Sequence, residues 1–114
     1  MSLRVDQSRF ARMVAQLIIW AYDNGYEVTF GDAYRDPRVF GKVGQYKGYG
    51  HASSKHKSRL AVDLNLFRDG EFLTGSEDHR PLGEYWKTLA EDASWGGDFT
   101  YPDGNHYSLG ERRD

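Results

Sequence analysis

Cysteine is absent from the 114 residues, which excludes a disulfide framework, a thiolate metal site and a thiol nucleophile. Any metal would have to be held by imidazole and carboxylate. A surplus of one charge is lacking too. With 15 basic and 17 acidic residues the net charge is −2, too balanced for the general attraction that nucleic-acid and anionic-membrane binders use. No nucleic-acid partner is expected. No apolar run approaches the ~18 residues of a membrane span, and the N-terminus has no basic stretch leading into an apolar segment and a small-residue cleavage site. The expectation is therefore a soluble protein made in the cytoplasm, without membrane insertion. Repeats and composition breaks are missing as well, so one domain over residues 1–114 is expected, as a monomer.

What is present has a clear order. Phe10, Met13, Val14, Leu17, Ile18 and Ala21 follow the three-and-four spacing of a helix with one apolar side. Asp6 or Ser8 would cap its start, and Asn24-Gly25 would stop it. Glu27 to Tyr34 reads as a strand, and Phe40 to Ser54, with Gly41, Gly44, Gly48 and Gly50, as a long loop. Leu60, Val62, Leu64 and Leu66 alternate with Ala61, Asp63, Asn65 and Phe67, which predicts a strand whose leucines enter the core while Asp63 lies on the opposite face. Asp69-Gly70 predicts a tight hairpin into Glu71 to Leu73. A second helix is predicted from Pro81 to Asp92 with Leu82, Tyr85, Trp86 and Leu89 inward, and the segment from Trp95 to Leu109 reads as strand, turn and strand. The fold class is α+β, a small mainly antiparallel sheet with two helices packed against it.

Four histidines are available, His51, His56, His79 and His106. His56 and Asp63 are seven residues apart, ~23 Å if extended, so they meet only if the polar Lys57-Ser58-Arg59 stretch turns. If the last strand pairs beside the one carrying Asp63, then His56, Asp63 and His106 converge. Two imidazoles and a carboxylate with a fourth position for water form a zinc catalytic pattern. On spacing alone the set is weakly specified, because scattered histidines and aspartates are more commonly solvated or hydrogen-bonded than ligating. Asp103, three residues before His106 in Pro-Asp-Gly-Asn, is placed either as a group facing that water or as an ordinary turn residue. Tyr46, Tyr49 and Tyr107 either line a cleft or pack their own segments, and His51 and His79 are read as surface or loop residues.

Ser54-Lys55-His56 followed by Ala61-Val62-Asp63 resembles the Ser-x-His-x-x-Gly-x-Ala-x-Asp motif of the M15 zinc peptidases. These are the D-alanyl-D-alanine carboxypeptidase and phage L-alanyl-D-glutamate endopeptidase family. Four of the five specified positions match; Arg59 stands where the family has glycine. Trp95-Gly96-Gly97-Asp98-Phe99 ahead of Asp103-Gly104-Asn105-His106 is similar to the family's second signature, and Ala33-Tyr34-Arg35 to its strand-end arginine.

The resemblance implies that His56, Asp63 and His106 hold one Zn²⁺ per chain and that Asp103 is the general base and acid. It further implies that Arg35 binds a substrate carboxylate or steadies the carbonyl oxygen; the alternative is an ion pair with Asp32 or Asp36. Ser54, Asp98 and Tyr107 would contact substrate or support the ligands, Asp98 by orienting an imidazole. The function implied is hydrolysis of a peptide bond in the peptidoglycan stem peptide, first as an L-Ala-D-Glu endopeptidase of endolysin type reaching the wall by another factor's route, next as a D-Ala-D-Ala carboxypeptidase. Seven Lys or Arg residues against one acid between Arg35 and Arg59 read first as a solvated basic face and, more sharply, as a surface attracting the carboxylates of wall peptides. The alternative is a non-catalytic wall-binding or phage structural module of the same fold, which Arg59 favours.

Overall fold

A computed structural model describes residues 2–31 and 59–110. Helix α1, Leu3–Asp23, begins earlier than its apolar stripe suggests: the Ser2 hydroxyl accepts the Val5 N–H at 3.2 Å, so Ser2, not Asp6 or Ser8, is the cap. No breaker separates Ser2 from the stripe, and Asp6 instead sits in the first turn, where a carboxylate suits the helix dipole. Gly25, at φ +88°, ends the helix as expected.

Among the described residues five antiparallel strands follow: β1 Glu27–Phe30, β2 Ala61–Arg68, β3 Glu71–Leu73, β4 Ala93–Trp95 and β5 His106–Leu109. They order as β1-β2-β5-β4, with β3 on β2. Since β1 and β3 both pair with Leu66 and Phe67, they lie on opposite edges of β2, and β3 continues the edge that β5 begins. Asp69 and Gly70, at φ +53° and +79°, make the two-residue corner between β2 and β3. Helix α2, Arg80–Thr88, stops short of Asp92. The Thr88 hydroxyl bonds back to the Tyr85 carbonyl at 2.6 Å, and Leu89 N–H takes the Trp86 carbonyl in a tighter last turn. Past Trp95 the chain leaves strand geometry for a 3₁₀ turn, Gly96–Asp98, where an extended segment had been expected.

The alternation in β2 divides the sheet. Leu64 and Leu66 face one side with Tyr107 and Trp95, and both helices cover that side with Phe10, Met13, Leu17, Ala21, Leu82 and Trp86. Each such side chain contributes roughly 1.5–3 kcal/mol on burial. Trp86 is its hub, edge-on to Phe10 and Tyr107 with centroids at 5.7 and 5.9 Å. Its indole N–H is shared by the carbonyls of Ser94 and Ser108 at 3.0 and 3.1 Å, so the helix is tied to β4 and β5 by hydrogen bonds as well as by area. The other side of the sheet carries Asp63, Asn65 and Phe67 from β2 and His106 from β5. Among the described residues no helix is long and apolar enough to cross a membrane.

Candidate metal centre

Asp63 and His106 are register partners across β2 and β5. Leu64 N–H bonds the Asn105 carbonyl and Leu109 N–H the Leu60 carbonyl, both at 2.9 Å. Hydrogen-bonded pairs alternate along an antiparallel ladder, which makes Asp63 and His106 a non-hydrogen-bonded pair, the kind whose side chains approach most closely. His106 Nδ1 lies 3.3 Å from Asp63 Oδ1. Both residues are buried, at 6% and 8% exposure. A buried carboxylate beside a buried imidazole is costly unless a charge compensates it, so the pair is chemically suited to a cation.

Asp103 completes a group of three. It is exposed, in the turn ahead of β5, and one ligand atom from each of Asp63, Asp103 and His106 falls within 4.8 Å of the others. The turn is held from several sides. Asp103 N–H donates to the Gly96 carbonyl at 2.9 Å, and His106 N–H to the Asp103 carbonyl at 3.1 Å. A Cβ on Gly96 would stand 2.0 Å from the Asp103 carbonyl oxygen, so the approach requires glycine there. The Trp95 indole donates to the Gly104 carbonyl at 2.7 Å, and Gly104 N–H bonds the Ser76 hydroxyl at 3.0 Å. Phe99 lies over the His106 ring at 5.6 Å.

The donor set of two carboxylates and an imidazole, with no sulfur, fits zinc or another borderline divalent ion. Arg35, Ser54 and His56 lie outside the described residues, as do His51, Tyr46 and Tyr49. Asp98 is placed in an ion pair with Lys87 Nζ at 2.7 Å, which ties the 3₁₀ turn to α2. Tyr107 is completely buried; its hydroxyl is 2.8 Å from His79 Nδ1, and burial raises its phenolic pKa, so it acts from within the core.

His79 is a correction. Read as a surface or loop residue, it is 3% exposed, in the 3₁₀ turn Ser76–His79 that leads into α2, and burial pushes its pKa down to about 4 against a weaker opposing effect of Asp78. The isolated sequence offers no period that would turn this ring inward; the signal is the Tyr107 hydroxyl, which needs a buried partner. Arg59 has φ +59°, the left-handed conformation, so the backbone at this position keeps the shape glycine adopts freely although an arginine occupies it.

A family model described as D-alanyl-D-alanine carboxypeptidase matches residues 47–109, more than half of the chain, from ahead of Ser54 to the end of β5. No curated protein matches the chain.

Proposed function

The chain belongs to the M15 peptidase family, and from that premise we propose that it is a zinc-dependent peptidase acting, as a monomer, on the stem peptide of peptidoglycan. The observation that carries this reading is the convergence of Asp63, Asp103 and His106 within 4.8 Å. In it, Asp63 and His106 hold one Zn²⁺ together with His56. Bound there, zinc supplies the Lewis acidity that polarises a scissile carbonyl and makes water acidic enough to attack near neutral pH.

The rest is done by the chain's own groups. Asp103, exposed at the rim, takes a proton from the attacking water and delivers it to the leaving amine as the C–N bond breaks. Arg35 binds a substrate carboxylate or steadies the carbonyl oxygen, and Ser54 donates a hydrogen bond to substrate. Asp98 acts indirectly: its bond to Lys87 fixes the turn from which Phe99 reaches the His106 ring. Tyr107 holds β5 from below.

The L-Ala–D-Glu bond is the first candidate, supported by the seven basic residues between Arg35 and Arg59, which suit the several carboxylates around an internal stem bond. D-Ala–D-Ala trimming is the second, favoured by the description of the matching family model. Metal analysis joined to mass spectrometry of digested peptidoglycan tests both. One zinc per chain and new amino termini at D-Glu are expected. Loss of only a terminal D-Ala selects the second bond, and metal uptake with no new amine overturns the peptidase reading in favour of a wall-binding module.

A further inference from the structure

Beside the metal group a cleft of about 240 Å³ opens between the turn at Asp103 and the end of β3. It is smaller than the ~300–1,000 Å³ of pockets for drug-sized ligands, enough for one ring and too small for an extended chain. Among the described residues its lining includes neither lysine nor arginine, and Asp103 is the one charged member. A carboxylate therefore finds no counter-ion among these described residues and meets the like charge of Asp103.

What the lining does offer is neutral hydrogen bonding. His79 lines the cleft and its Nδ1 is engaged by the Tyr107 hydroxyl. Tyr107 is wholly buried, with no other acceptor among the described residues for its phenolic hydrogen, so the O–H donates to Nδ1 and the ring's proton sits on Nε2. With its pKa pushed down to about 4 the imidazole is uncharged at neutral pH. Nε2–H has no protein partner among the described residues, which leaves a neutral donor on a residue that lines the cleft and is 97% removed from solvent. The Ser76 hydroxyl accepts from Gly104 N–H and keeps its own hydrogen for donation, and the Asn105 carboxamide is available for both roles. At the far end stands Phe72, 52% exposed and backed by Phe67 at 5.2 Å, a braced aromatic face at the mouth of the cleft.

We infer that this cleft is a subsite for a neutral N-acetylated sugar ring, with His79 Nε2–H and Asn105 on its acetamide and hydroxyl groups and Phe72 against its C–H face. It rests on the peptidase reading only in making that sugar part of the same wall substrate, on the Asp103 side of the scissile bond. Asp103 repels a free carboxylate at this end, so the acidic part of the substrate lies on the other side of the metal group.

The test is a titration of the whole chain with N,N′-diacetylchitobiose, followed by the ¹⁵N shifts of the His79 ring and the Asn105 side chain. Saturable shifts in both are expected, with Phe72→Ala weakening binding about five-fold, as loss of an aromatic contact of ~1 kcal/mol implies. Asn105→Ala, on the rim, serves as the second variant and is expected to weaken binding similarly. Absence of shifts, or shifts that neither variant weakens, overturns the proposal; so do equal shifts with N-acetylalanine amide, which would make the cleft a peptide site. No turnover is involved, so sugar binding by a chain that releases no amine would leave this inference standing while removing the peptidase.

Discussion

At Arg59 a side chain occupies a left-handed conformation that costs an L-residue roughly 1–2 kcal/mol. Arg59→Gly removes that strain but gives the unfolded chain more freedom, which offsets part of it. The net expectation is a gain of about 0.5–1 kcal/mol in chemical denaturation, with activity retained. The metal group separates two roles just as sharply. Asp103→Ala leaves Asp63 and His106 in place, so metal stoichiometry should stay near that of the unaltered chain while kcat/KM falls about 10²–10⁴-fold, the usual contribution of a general acid–base group. His106→Ala breaks the cross-strand pair and should lose metal and cleavage together. Full activity in Asp103→Ala would remove it from the reaction.

Elements that depend on local pattern were readable in the sequence: the apolar side of α1, the alternation of β2 and the Asp69-Gly70 corner all appear where their spacing puts them. The boundaries that moved were decided by contacts distant in sequence or by competing local bonds. Gly96 and Gly97 look like the continuation of a strand, yet the Gly96 carbonyl is needed by Asp103 N–H, and the chain coils to present it. Thr88 ends α2 through its hydroxyl, which an apolar stripe cannot foretell. Of the candidate site, Asp63 and His106 as ligands and Asp103 as base were named through the family's motif order, and one ligand atom of each lies within 4.8 Å of the others, while His56 lies outside the described residues. His79 was not legible, because its burial depends on a tyrosine 28 residues away. Gly96→Ala tests how far the turn serves the site. The added methyl would meet backbone, not a movable side chain, so the turn must shift; a loss of about 3 kcal/mol or more in denaturation and weakened metal binding are expected.

Across the whole molecule, stability should depend on pH through His79. In the unfolded chain an imidazole takes a proton near pH 6.5, whereas the folded ring resists it until about 4. Between those values the unfolded state binds more protons, so stability is constant above about pH 7 and declines as pH falls through the window. Denaturation at pH 7.5 and pH 5 should differ by roughly 2 kcal/mol more for the unaltered chain than for His79→Gln, measured with chelator present to keep metal out of the comparison. Equal pH dependence in the two would mean that the ring is protonated in the native state. The pairing of β2 with β5 has a wider consequence. Side chains alternate strictly, so sliding one strand past the other by a single residue would carry Tyr107 out to water and bury His106 among leucines. Core and candidate site thus proofread each other: a chain that has folded well enough to hide its tyrosine has, by parity alone, already turned its histidine toward Asp63.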